Sequence, residues 1–128
     1  MKVAIKYLLT VTTVVLLAAC GGGGGGDATQ LLYGSIAIDR GRLETGIAAG
    51  YATQSDADLM ARQNCGFPTC VVVKQYTGPG VCAVTAWSVG GVTSYGLGAT
   101  KAIAETNAIR SCVEGGGAYC ELAKFLCI

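Results

Sequence analysis

Seven cysteines and no histidine define the chemistry open to this chain of 128 residues. Without imidazole there is no Ser-His-Asp or Cys-His nucleophile system, and no zinc site that depends on a nitrogen ligand. Thiolates alone could hold a metal, but no C-x-x-C pair occurs in the sequence. Paired carboxylates could hydrolyse a glycoside only if two faced one cleft. The acidic side chains are Asp27, Asp39, Glu44, Asp56, Asp58, Glu105, Glu114 and Glu121. Asp56 and Asp58 stand two apart on a predicted helix and so point to different faces. Gly96-Leu97-Gly98-Ala99-Thr100-Lys101 follows only part of the phosphate-loop spacing, and strand closure with a capping threonine explains it more economically. No catalytic residue, metal ligand or cofactor is therefore expected, and the chain reads as non-enzymatic.

Binding is the remaining chemistry. Asp39-Arg-Gly-Arg-Leu-Glu44 reads as one exposed turn that presents Arg40 and Arg42, and Trp87 is the single tryptophan. Arg40, Arg42 and Trp87 are the residues expected to contact a partner. A formal net charge of +1 without a basic cluster argues against nucleic acid as that partner.

The elements that position these residues follow a leader. Lys2 and Lys6 precede an apolar run over residues 7–17, and Leu17-Ala18-Ala19-Cys20 ends it. Residues 1–19 read as a secretory signal peptide closing on a lipobox-like site. The segment resembles the bacterial lipoprotein signal, which implies diacylglyceryl transfer to Cys20, cleavage before it and acylation of the new amine. Gly21 in place of an aspartate favours the outer membrane, so the bilayer is an expected partner through acylated Cys20. Residues 20–30, with six consecutive glycines, form a tether, and residues 31–128 the folded domain. Removing Lys2 and Lys6 leaves seven basic against eight acidic side chains.

Sliding the chain by 47 residues lays Ala52-Thr53 on Ala99-Thr100, Ala57-Asp58 on Ala104-Glu105, Ala61 on Ala108 and Cys65 on Cys112. The shared pattern A-T-x-x-x-A-(D/E)-x-x-A-x-x-x-C predicts a helix in each copy. Its threonine is the N-cap, and its small residues recur every fourth position as a smooth packing stripe. Strands fall at residues 35–39, 46–52, 70–76, 82–86, 93–99 and 120–127, with Val89-Gly90-Gly91-Val92 as a two-residue hairpin turn. The expected fold is α+β: two ββαβ repeats forming a mixed six-stranded sheet packed by two helices. With strands alternating up and down, each helix ends where the next strand starts, giving Cys65–Cys70 and Cys112–Cys120. Cys82 and Cys127 meet at the opposite end.

Residues 33–127 carry a family resemblance. Tyr33-Gly34-Ser35-Ile36-Ala37, the two A-T-x-x-x-A helices, Cys65, Cys70-Val-Val-Val, Cys82-Ala-Val and Cys112 with Cys120 resemble the bacterial domain-of-unknown-function 4189 family. The resemblance implies a small exported cysteine-rich domain of the bacterial envelope, with no catalytic residues to carry over. It also implies the protective role of some relatives against toxins delivered into the envelope. The second strand, residues 46–51, departs from the family in being mostly small where relatives carry aromatics. The expected function is thus an envelope lipoprotein facing the periplasm that binds a periplasmic protein, in the manner of an immunity protein. The alternative is a structural or envelope-stress lipoprotein contacting peptidoglycan or the outer membrane.

Overall fold

A computed structural model describes residues 30–128; the expected signal peptide, Cys20 and nearly all of the expected tether lie outside the described residues. The elements are β1 (Leu32–Asp39), β2 (Glu44–Tyr51), α1 (Gln54–Cys65), β3 (Val71–Gly78), β4 (Cys82–Ser88), β5 (Thr93–Gly98), α2 (Lys101–Glu114) and β6 (Cys120–Cys127). They form two antiparallel three-stranded sheets, in the orders β2-β1-β3 and β5-β4-β6.

A single mixed six-stranded sheet is therefore not what the chain builds. The reason lies in the pattern of its central strands. Along β1, Ile36 and Ile38 face one way and Ala37 the other, and all are buried. A strand buried on both faces needs a covering layer on each side. Helices on one face of a single sheet would have left the isoleucines in water. Instead Ile36, Ile38, Ile47 and Tyr76 pack with Ala83 between the two sheets. Ala37 and Ala48 pack under Ala61 and Cys65 of α1 on one outside, and Val84 and Ala86 under Ala104, Ala108 and Cys112 of α2 on the other. The layers run helix, sheet, sheet, helix. Because β2 and β3 flank β1, they run the same way without pairing, so no parallel ladder forms.

The helices begin as their sequences require. Thr53 Oγ1 accepts the Asp56 N–H at 3.1 Å, and Thr100 Oγ1 accepts the Ile103 N–H at 3.2 Å. The alanine stripes let each helix backbone lie directly on a strand glycine. A Cβ at Gly46 would strike the backbone of Ala61, Asn64 and Cys65; one at Gly96 would strike that of Ala104, Asn107 and Ala108. Beside each crossing an asparagine pins helix to strand: Asn64 Nδ2 donates to the Ile47 carbonyl at 2.8 Å and Asn107 Nδ2 to the Leu97 carbonyl at 2.7 Å. The crossing thus falls one helical turn later in α1 than in α2, counted from the capping threonine.

Disulfides join Cys65–Cys70, Cys112–Cys120 and Cys82–Cys127, the last closing 45 residues of chain. The β4–β5 turn is longer than the two-residue loop expected. Ser88 N–H bonds to the Val92 carbonyl at 2.8 Å, Gly91 N–H bonds to the Ser88 carbonyl at 3.0 Å, and Gly91 takes φ of +91°. That makes a three-residue loop with its glycine in the left-handed position.

Candidate binding surface

The β1–β2 hairpin tip is held by one carboxylate. Asp39 Oδ1 accepts the Gly41 N–H at 3.0 Å, its Oδ2 accepts the hydroxyl of Thr69, and Arg42 Nε lies 3.7 Å away. The Thr69 bond is the main reason that the Asp39 carboxyl sits below its ordinary range. Burial opposes the shift, while the Gly41 and Arg42 N–H groups and the Arg42 charge add to it. Leu43 closes the turn at a φ of 57°, a left-handed conformation uncommon for a non-glycine residue. The Arg42 guanidinium lies 4.3 Å from the centre of the Phe67 ring, so the hairpin is clamped to the α1–β3 connection. The side chain of Arg42 remains 60% exposed, presenting a fixed cation to solvent.

Arg42 and Trp87 come together in one cleft of about 380 Å³, lined also by Leu43, Glu44, Thr45, Ala123 and Lys124. Arg40 does not join them; it lines another cleft with Thr69, Val71 and Val73. Lys124, on β6, was not singled out by its sequence context, yet it sits at the seam where β6 meets β2. Its ammonium donates to the carbonyls of Thr45 and Asn64. An ammonium has three donors, so one is left for a ligand. Lys124 also borders a second cleft, of about 460 Å³, with Ile47, Asn64, Phe125 and Leu126. The pair makes a trough along the seam, cationic and aromatic at one end and apolar at the other. A bulge interrupts the β4–β6 register beside Lys124, and no residue type in β6 marks its position.

The acids considered for hydrolysis lie apart. Asp58, on α1, accepts from Ser35 Oγ at 2.7 Å, Gln54 Nε2 at 3.0 Å and Gln75 Nε2 at 2.7 Å. Glu105, on α2 in the opposite outer layer, pairs with Lys101 at 3.5 Å. Lys101 also stands 4.0 Å over the Phe125 ring, and Gly96 and Gly98 are occupied by the close approach of α2. Among the described residues no group of three or more His, Cys, Asp or Glu side chains could hold a metal ion.

Residues 33–127 match the family model described as domain of unknown function DUF4189. No curated protein matches the chain. Among solved structures, the NMR structure of Rv1813c from Mycobacterium tuberculosis is similar, with a TM-score of 0.54 and 23% identity over 76% of this chain and 75% of that one. At that identity the likeness is one of fold.

Proposed function

We propose that this chain, which belongs to the DUF4189 family of domains of unknown function, is a non-enzymatic envelope lipoprotein that binds a periplasmic protein through the Arg42–Trp87 cleft. In this reading Cys20 carries the lipid, the outer membrane is the anchor and the bound protein is a delivered toxin that the chain neutralises. The observation that carries the reading is the preorganised hairpin. Asp39, Thr69 and Phe67 hold Arg42 in place beside a half-buried Trp87, so little side-chain freedom is lost on binding. The disulfides favour an oxidising compartment. We also read the two halves as copies of one ββαβ unit, supported by the paired threonine caps, glycine crossings and asparagine pins.

Replacing Trp87 with a photoreactive phenylalanine derivative in living cells tests the binding claim. The expected result is a discrete cross-linked protein from the envelope that is absent when the same group replaces Val113, which is exposed on α2. Recovery of no protein from the Trp87 position, or the same products from both positions, would overturn it.

A further inference from the structure

We propose that the trough along the β2–β6 seam takes an extended segment of the partner polypeptide, seating an apolar side chain at one end and a carboxylate at the other. This rests on the reading that the cleft binds a protein, and it specifies the chemistry of what is bound.

Three features argue for that occupant. First, β6 is the most exposed strand of the described residues. Its Leu122, Phe125 and Leu126 are 44%, 51% and 42% exposed, although it is an edge strand of its sheet. An apolar edge strand offers a template for a further extended chain, and folds without a use for it blunt it. Second, the fixed charges that line the cleft are cations. Arg42 is held over Phe67, and although its Nε lies 3.7 Å from the buried Asp39, its side chain stays 60% exposed on the cleft side of that pair. Lys124 is fixed by two carbonyls with a donor to spare, whereas the one acid lining the cleft, Glu44, is an exposed strand-end residue. A carboxylate between two cations gains both charge and hydrogen bonds. Third, Trp87 lies beside the cations, and Ile47, Phe125 and Leu126 line the other end. An extended chain sends alternate side chains to one side, so a single strand could place one residue in each end.

Selection of randomised short peptides on the immobilised full chain tests this without knowledge of the natural partner. The expected outcome is enrichment of an acidic residue at fixed spacing from an apolar one. Arg42→Gln should reduce the acidic enrichment about tenfold while leaving the apolar preference, the difference that one such charge pair makes. Leu126→Ser should do the reverse, and Arg42→Lys should retain much of the acidic preference, which separates loss of charge from loss of the hairpin. No consensus, a basic consensus, or an acidic preference unchanged in Arg42→Gln would overturn the proposal. Those outcomes are distinct from failure of the cross-linking experiment, which reports any partner whatever its chemistry.

Discussion

In the first sheet Ser35 stands opposite Gln75 on the neighbouring strand, and both donate to the carboxylate of Asp58 from the helix above. At the matching place in the second sheet Cys82 stands opposite Cys127, and the two are joined covalently. One half thus ties its central strand, edge strand and helix through a charged hydrogen-bond hub. The other ties the two strands by a sulfur bridge and leaves its helix acid, Glu105, to a surface lysine. The difference teaches that the two halves depend on different conditions: the hub needs an ionised carboxylate, the bridge an oxidising environment.

The largest effect should come from the bridge. Replacing Cys82 and Cys127 together with alanine releases a loop of 45 residues, and the chain-entropy model assigns that closure about 4 kcal/mol. The loop of 5 residues between Cys65 and Cys70 is worth about 2 kcal/mol by the same relation. Urea unfolding of the two double variants should reproduce that order. If loss of the short bridge costs as much as loss of the long one, the long bridge does not take the place of the hub in the second half.

Much of this contrast was legible beforehand. Cysteine parity, the threonine caps and the alternation of strand directions give the three bridges: the two short ones follow from local spacing at the helix ends, and the long one from strand direction alone. The layering was not legible, since Ile36 and Ile38 against Ala37 could serve one sheet or two until both outer faces were known to carry a helix. The shift of 47 residues, correct for the helix caps, also aligns the wrong parts of the helices on the sheets. Gly46 and Gly96 share a place beside Ala37 and Val84, yet they lie 7 and 4 residues before the caps Thr53 and Thr100. Extra residues at the end of β2, where the register with β1 slips between Ala48 and Tyr51 and Gly50 takes a φ of 83°, move α1 along by a turn. A periodic match cannot report an insertion that the helix absorbs. For the site, Arg42 and Trp87 were readable as exposed types, but Lys124 required the seam between two sheets to exist.

The hub gives the second effect and the one that depends on pH. Burial of the Asp58 carboxyl raises its pKa, but the bonds from Ser35, Gln54 and Gln75 and the charge of Arg62 together bring it below the ordinary value. A carboxyl with a lower pKa in the folded state contributes its stability fully above the unfolded value of about 3.9 and loses it as pH falls through the folded value. Asp39 acts in the same direction. The urea midpoint should therefore hold at neutral pH and decline below the ordinary carboxylate range. Asp58→Ala should cost about 2 kcal/mol at neutral pH, the scale of hydrogen bonds to a charged group, and should flatten part of the acid decline. The Cys82, Cys127 double variant should keep the whole of that decline; a flattened slope there would erase the distinction between the halves.

Where the halves meet, the smallest effect is expected. Thr45 Oγ1 and Thr85 Oγ1 lie 2.9 Å apart, both buried, as a polar contact between β2 and β4. Their surroundings differ. Thr85 Oγ1 also accepts the Lys124 N–H at 3.2 Å, at the bulge in β6. Thr45→Val therefore leaves Thr85 with one partner still in place, whereas Thr85→Val strands both the Thr45 hydroxyl and a backbone N–H. An unpaired buried polar group is costly, and replacing both members of a pair by apolar groups of the same shape recovers part of that cost. Thr85→Val should accordingly destabilise more than Thr45→Val, and the double-mutant cycle should yield a coupling of about 1 kcal/mol. Equal single effects with no coupling would mean that this threonine pair adds nothing to the apolar packing between the sheets, and that the position of Lys124 does not depend on it.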